Sequence, residues 1–328
     1  MQRRRFLVHS LAAATMALAS AHSGAAAQAS AHPLTVLVGF GAGGSADGLS
    51  RLVAEQMTQR LGRTFVVENR TGALGRIAID AVANAPAGRE VFLVAPFSSL
   101  LFSSLTVPTW KRDIHADLQP VANLTDYPLA IAVSPQIGVD SLPELLEWLK
   151  ANPSRQVFGT AGTGGHNHLL GLAMGKAIDL PLQVIAYKGN AQLVTDVIGG
   201  HTPIGVGVAG DFLQHHENDR MKILAVFTPE RSPLLPNIPT AKEQGLDLTS
   251  GAAWYAMWAS PTMPKEQVTA VQQALSQSLS DEKFIEQIAE RYSMTARYLD
   301  GAALDNRLRE AGTYWQKVIT ETGFSPDQ

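Results

Sequence analysis

The stretch Leu34-Thr35-Val36-Leu37-Val38-Gly39-Phe40-Gly41-Ala42-Gly43-Gly44-Ser45-Ala46-Asp47 decides the fold class. Residues 34–38 form an apolar run of strand length, and glycines at 39, 41, 43 and 44 end it. Leu49, Val53, Met57 and Leu61 then recur at four-residue spacing until Gly62, which predicts an amphipathic helix of about four turns. Strand, glycine loop and helix make the opening half of a βαβ unit. Residues 65–67 read as the next strand, 76–85 as a helix and 91–95 as a third strand. Such alternation predicts an α/β fold with a parallel sheet covered by helices on both faces.

The same order recurs further on. Val157-Phe158 leads into Gly159-Thr160-Ala161-Gly162-Thr163-Gly164-Gly165 and a helix through Leu169, Leu172, Ala173 and Lys176. Residues 182–186 read as a strand, followed by Tyr187-Lys188-Gly189-Asn190 and a helix to Ile198. Two such βα sets predict two α/β lobes. Ser141-Leu-Pro-Glu144 has the spacing of a capping box, in which Ser and Glu satisfy each other's backbone amides, and it opens a helix to Lys150. Residues 129–133 and 254–259 are apolar segments suited to cross between lobes. After Pro261 the pattern is helical, over 268–279, 281–291 and 302–320. The expected organisation is one discontinuous lobe of residues 32–127 plus 254–328, and a second of 128–253. Hinged in this way, the lobes would close on a ligand like a clamshell.

Composition excludes several alternatives. With 26 Lys+Arg against 29 Asp+Glu, the 328-residue chain carries a net charge of −3 and no dense basic run, so nucleic acid is not an expected partner. It has no cysteine, which removes disulfide scaffolds, thiolate nucleophiles and Cys-zinc sites. The N-terminus reads as an export signal of twin-arginine type: Arg3-Arg4-Arg5-Phe6-Leu7, a short apolar stretch, then Ala25-Ala26-Ala27. Cleavage is expected after Ala27, with Ala31 second, giving a periplasmic protein. Loss of Arg3, Arg4 and Arg5 takes Lys+Arg from 26 to 23 against 29 acidic residues, a mature charge of about −6. An anion site on such a chain has to be local.

Both glycine loops offer one. Glycine lets backbone N–H groups approach a ligand, and the helix that follows turns its positive dipole end toward any anion there. In the first loop Ser45 is the expected N-cap; Ser45 and Asp47 capping the helix, with glycines that merely turn the chain, is the competing structural account. The second loop adds Thr163 and the imidazoles of His166 and His168 at another helix start. Lys188 follows a strand and is a candidate donor to a carboxylate. His166 and His168 point apart at two-residue spacing and His215-His216 are adjacent, so no metal is expected. Gly-x-Ser-x-Gly is absent, which leaves hydrolase chemistry without support. Gly39-x-Gly41-x-x-Gly44 after a strand, with Glu68 ending the next strand, also fits a dinucleotide fingerprint. An exported Rossmann oxidoreductase is therefore the second reading, although Arg70 gives Glu68 a structural partner.

Taken together, Gly39 to Asp47 with Arg51, Val66-Val67-Glu68-Asn69-Arg70-Thr71-Gly72-Ala73, Gly159-Thr160-Ala161-Gly162 with His168-Leu169, Tyr187-Lys188-Gly189, Gly199-Gly200, Leu224-Ala225-Val226, Arg231-Ser232, Pro236-Asn237-Ile238-Pro239-Thr240 and Glu243-Gln244-Gly245 resemble the Bug family. These are periplasmic solute-binding receptors of tripartite tricarboxylate transporters, and the resemblance runs from about residue 34 to 320. It implies a type II periplasmic-binding-protein clamshell that closes on a small carboxylated or aromatic acid and delivers it to membrane permease subunits. It also implies that the ligand's carboxylate is held by residues 40–47 (Phe40, Gly41, Ala42, Gly43, Gly44, Ser45 and Asp47) and 160–168 (Thr160, Gly162, Thr163, Gly164, Gly165 and His168). Ser98, in the loop 96–99, and Tyr187 with Lys188 shape the rest of the pocket. The chain departs from the family pattern at Thr71 and Leu74, where Asn-Arg-Pro-Gly-Ala-Gly-Gly is usual for residues 69–75, at Pro86-Ala-Gly-Arg89, where Pro-Asp-Gly-Tyr is usual, at Gly165, where a hydroxyl is common, and at Gly199-Gly-His-Thr-Pro203, which lacks the acid of Gly-Gly-x-Val-Asp. The expectation is a non-catalytic, cofactor-free monomeric receptor; a sensor using the same clamshell is the third reading.

Overall fold

Strand β1 (Leu34–Val38) is apolar and buried at every position but Thr35 because both of its faces are covered. In the computed structural model, which describes residues 33–249 and 253–322, it lies inside a six-stranded sheet. The twin-arginine segment and both cleavage positions lie outside the described residues. Strands β2 (Phe65–Asn69) and β3 (Val91–Pro96) flank β1 and run parallel to it, and all six residues of β3 are buried. The sheet continues with β10 (Ala253–Ala259), β4 (Gln119–Tyr127) and the edge strand β11 (Thr295–Asp300).

The second sheet has the order β7 (Gln183–Tyr187), β6 (Val157–Ala161), β8 (Ile204–Val208), β5 (Leu129–Val133) and β9 (Lys222–Val226). Both sheets are mixed, where the alternation in the sequence predicts parallel ones. β10 is antiparallel to β3 and β4, and β5 is antiparallel to β8 and β9. A strand runs parallel to its neighbour only when a crossover helix on the same sheet carries the chain back, and β5 and β10 each arrive from the other lobe. Pro128 alone separates β4 from β5, and the return runs from β9 to β10. The segments read as crossings, 129–133 and 254–259, are the strands on the far side of each crossing, buried at every position.

Helices follow the sequence pattern closely where it is amphipathic. α1 (Ser45–Leu61) buries Leu49, Val53 and Met57, and Gly62 closes it in the left-handed conformation (φ 63°), its N–H donating to the Thr58 carbonyl. α2 (Arg76–Ala83) is the helix expected there. α3 (Phe97–Thr106) replaces the expected loop at 96–99; its eight buried residues face all round, so no stripe announced it. Ser141 caps α4 (Leu142–Ala151) by accepting from the Glu144 amide, whereas the Glu144 carboxylate accepts from Asp140 N–H, one residue outside a capping box. The second lobe also holds α5 (His166–Ala177), α6 (Asn190–Ile198) and α7 (Ala209–Glu217).

The C-terminal helices are α8 (Lys265–Ser278), α9 (Glu282–Tyr292) and α10 (Gly301–Thr322), with β11 inserted between the last two. α8 and α10 pack on β4, so they belong with the first sheet. Beside the first crossing, Arg307 of α10 donates to both oxygens of Asp126 (2.7 and 3.0 Å) and to Asn123, and its guanidinium lies 4.1 Å over the Trp254 ring. This cluster ties β4, β10 and α10 together where the lobes diverge.

Candidate functional site: the cleft between the lobes

The first glycine loop delivers α1 to the cleft. Gly44, with extended backbone, is the N-cap and supplies no side chain; Ser45, expected as the cap, is instead the first helical residue. Both donors of Ser45 turn to the other lobe. Its N–H donates to Asp211 Oδ1 at 2.7 Å and its hydroxyl donates to the same oxygen. Asp211 lies in the first turn of α7, so an acid of the second lobe caps a helix of the first, where the α1 dipole favours negative charge. Asn190 Nδ2, at the start of α6, donates to the second Asp211 oxygen. Desolvation pushes the Asp211 carboxyl above the ordinary aspartate range, against the pull of these hydrogen bonds.

Asp47 plays a local part. Its carboxylate accepts from Gly43 N–H (3.1 Å), Asn69 Nδ2 (2.9 Å) and Arg51 Nε (3.1 Å). Burial would raise its pKa, but the bonds from Arg51, Asn69 and Gly43 outweigh burial and hold the carboxyl below the usual range. Glu68, the ribose-binding candidate of the dinucleotide reading, accepts from Arg70 at 2.7 Å.

The second loop delivers α5. Gly164 N–H donates to His168 Nδ1 at 2.8 Å, and burial lowers the His168 pKa, keeping the ring neutral. His166 is a wedge between lobes: its ring meets Phe97 edge-on at 5.5 Å and Trp315 at 5.1 Å, with Phe102 at 6.0 Å. Gly165 faces Leu74, and a Cβ on it would fall 2.7 Å from Leu74 Cδ1. Leu74 itself has φ 56° and ψ 31°, a conformation that glycine adopts without cost. Two of the departures from the family pattern thus touch: the leucine fills the space beside the glycine.

Between the lobes is a cavity of about 40 Å³, room for roughly three waters. Of the residues expected at the site, Phe40, Gly41, Gly44, Ser45, Ser98 and Gly165 line it. Gly43 lines instead an outer cleft of about 450 Å³ with Arg220, Arg291 and Tyr292. Ala42, Asp47, Thr160, Gly162, Thr163, Gly164, His168, Tyr187 and Lys188 stand off the cavity wall. The Tyr187 hydroxyl is engaged within its own lobe by Asp196 (2.8 Å) and Thr202 (2.6 Å). Lys188 contributes its carbonyl, which accepts from Gly41 N–H across the cleft at 3.2 Å, while its side chain is exposed.

Sequence reading missed Asp211, Asn167, Tyr127 and Tyr255 as cavity residues, and had Asn190 only as a helix start. The available signal for Asp211 was the third strand-to-helix junction of the second lobe, β8 to α7, with an acid three residues into the helix. Tyr127 of β4 and Tyr255 of β10 sit two residues out of register with their rings stacked at 4.6 Å, and burial chiefly, with the Asp211 charge and, for Tyr255, the neighbouring Tyr127, raises both phenol pKa values. They remain neutral hydroxyls on the cavity floor.

Comparison with known proteins places this arrangement. The family model described as "Tripartite tricarboxylate transporter family receptor" matches residues 49–324. A protein of Agrobacterium vitis from the TAR-I ttuE-ttuC' intergenic region is 30% identical over 89% of this chain and 84% of its own. Protein BugT of Bordetella pertussis is 28% identical over 89% of this chain and 90% of its own. Among solved structures, the periplasmic binding protein BugD is 26% identical with a TM-score of 0.84, covering 89% of this chain and 98% of its own. A Rhodopseudomonas palustris protein solved with malate, at 21% identity and a TM-score of 0.79, has the same fold; it covers 88% of this chain and 98% of its own. With its two mixed α/β lobes and the helix-terminus cleft between them, the chain belongs to the tripartite tricarboxylate transporter receptor family.

Proposed function

We propose that this protein is a periplasmic receptor that closes its lobes on a small organic acid and delivers it to the membrane permease of a tripartite transporter. The observation that carries the reading is the cavity between the lobes at the N-termini of α1 and α5. Helix N-termini present backbone donors and partial positive charge, so they bind a carboxylate without a lysine or arginine. No lysine or arginine lines the cavity among the described residues.

In this reading the acid group sits at the open end of α5, within reach of Asn167 and Ser98, and Phe40, Gly41, Gly44, Ser45 and Gly165 complete the wall. The chain works as a monomer without catalysis or cofactor, and its first 27 residues are an export signal removed on arrival. Membership of a receptor family supports this account. The test is a thermal-shift and calorimetric screen of mono-, di- and tricarboxylates on protein unfolded and refolded to strip it of ligand. At least one acid raises the Tm in a concentration-dependent way; silence across the whole set overturns the proposal.

A further inference from the structure

The outer cleft differs from the inner cavity in size and in charge. Gly44, Ser45 and Asp211 line both spaces, so the Ser45–Asp211 contact is the partition between them. At about 450 Å³ the outer cleft falls within the roughly 300 to 1,000 Å³ of small-molecule sites. No lysine or arginine lines the inner cavity among the described residues, whereas the outer cleft carries two arginines, one from each lobe.

Arg291 stands in the last turn of α9, on the first lobe, and Arg220 just past the end of α7, on the second. Arginines elsewhere on the chain take carboxylate partners, as Arg51 does with Asp47, Arg63 with Glu90 and Arg307 with Asp126. Among the described residues Arg220 and Arg291 form no ion pair. Two guanidinium groups without an acid make the cleft cationic in a chain whose net charge is −3. Arg220 is also close enough to His215 to depress the imidazole pKa, second to burial. The one acid in the wall is Asp211, which burial pushes toward its neutral form and whose two oxygens are taken by Ser45 and Asn190. Opposite the charges, Ala191, Val194 and Ile198 share one face of α6 and give the cleft an apolar side.

We propose that the outer cleft is a second ligand site, for a small anion on an apolar body such as an aryl phosphate, held by Arg220 and Arg291 together and so bridging the lobes. Guanidinium forks match the oxygens of a phosphate, and the apolar face of α6 receives the ring. A ligand that takes donors from both lobes favours their closed arrangement. It therefore strengthens binding in the inner cavity, and an inner ligand strengthens the outer one by the same factor. The site itself goes beyond the receptor reading; only this coupling rests on it.

The test titrates phenyl phosphate, inorganic phosphate and benzyl alcohol calorimetrically into stripped protein. Phenyl phosphate binds, inorganic phosphate binds several-fold more weakly for want of the ring, and benzyl alcohol, which lacks the charge, does not bind. Arg220→Gln and Arg291→Gln each weaken phenyl phosphate roughly tenfold, as loss of a charge-assisted hydrogen bond requires. Arg89→Gln removes the same charge away from the cleft and changes nothing. All three arginines are exposed, so the variants fold. In protein saturated with the best acid of the carboxylate screen, phenyl phosphate still binds, about fivefold tighter or more. Absence of phenyl phosphate binding, or equal losses in all three variants, overturns the site. Competition with the acid overturns it too, because the probe is then in the inner cavity. An effect of only one cleft arginine, or unchanged affinity in the saturated protein, overturns the bridge between lobes. Should the carboxylate screen be silent, the receptor reading fails on that ground alone, and the three variants still decide the outer site.

Discussion

Ser45 and Asp211 join the two lobes through one carboxylate oxygen that receives both the backbone amide and the hydroxyl of the serine. The pair sits at the start of α1 and the start of α7, so closing the clamshell completes a helix cap that neither lobe has alone. The two side chains are therefore coupled. Ser45→Ala and Asp211→Ala are each expected to destabilise the closed protein by about 1 kcal/mol, with a double variant little worse than Asp211→Ala. Urea denaturation of the four proteins measures the coupling, and additive effects would show that the bond contributes nothing in solution.

Leu74 and Gly165 form a second coupled pair. Gly165→Ser restores the hydroxyl common in the family, but its Cβ meets Leu74 Cδ1 at 2.7 Å, and the overpacking is expected to cost about 1 to 3 kcal/mol. Leu74→Gly in the same chain removes the obstacle and relieves a left-handed leucine. The double variant should melt above Gly165→Ser alone; a lower melting point would mean that Leu74 is needed for packing elsewhere.

At Gly210 the lobes approach backbone to backbone. An added Cβ would lie 1.8 Å from the Tyr292 carbonyl oxygen of α9, an atom with no side-chain freedom to move aside. Gly210→Ala is expected to hold the lobes apart, weakening the best-binding acid at least tenfold and lowering the ligand-free Tm only about as far as loss of the Ser45–Asp211 bond does. A ligand-free Tm that falls as far as the liganded one places the clash inside a lobe instead.

His168 gives stability a pH dependence of known sign. Burial lowers its pKa below the free value of about 6.5, so the folded protein binds fewer protons than the unfolded chain in that range. Its contribution is present above pH 6.5 and is lost as the pH falls toward the folded pKa, where protonation of Nδ1 also breaks the bond from Gly164. His215 and His216 shift in the same direction, chiefly through burial, so melting curves from pH 7.5 to 5 have to be compared with those of His168→Asn. The variant should lose part of the slope; an unchanged slope assigns it to the other histidines.

Much of the fold is legible in local pattern. Apolar runs, glycine loops and four-residue spacing locate β1, α1, β3 and the start of α5, because each of these elements carries its own periodicity and its own terminator. α3 escapes because a helix buried on every side has no stripe, and β11 because its six residues alternate only weakly between helices. The direction of β5 and β10 is invisible locally, since it depends on which lobe the chain has just left.

For the site the division is sharper. By itself the sequence determined two glycine-rich helix starts, a chain too acidic for a global anion field and a family pattern with several departures, Leu74 and Gly165 among them. Only the tertiary structure decided that those departures pack on one another, that His166 wedges among Phe97, Phe102 and Trp315, and that Asp211 takes the donors of Ser45. The physical reason is sequence distance: Ser45 and Asp211 lie 166 residues apart. No periodicity spans such a separation, so their contact exists only once both sheets have formed and the lobes have met.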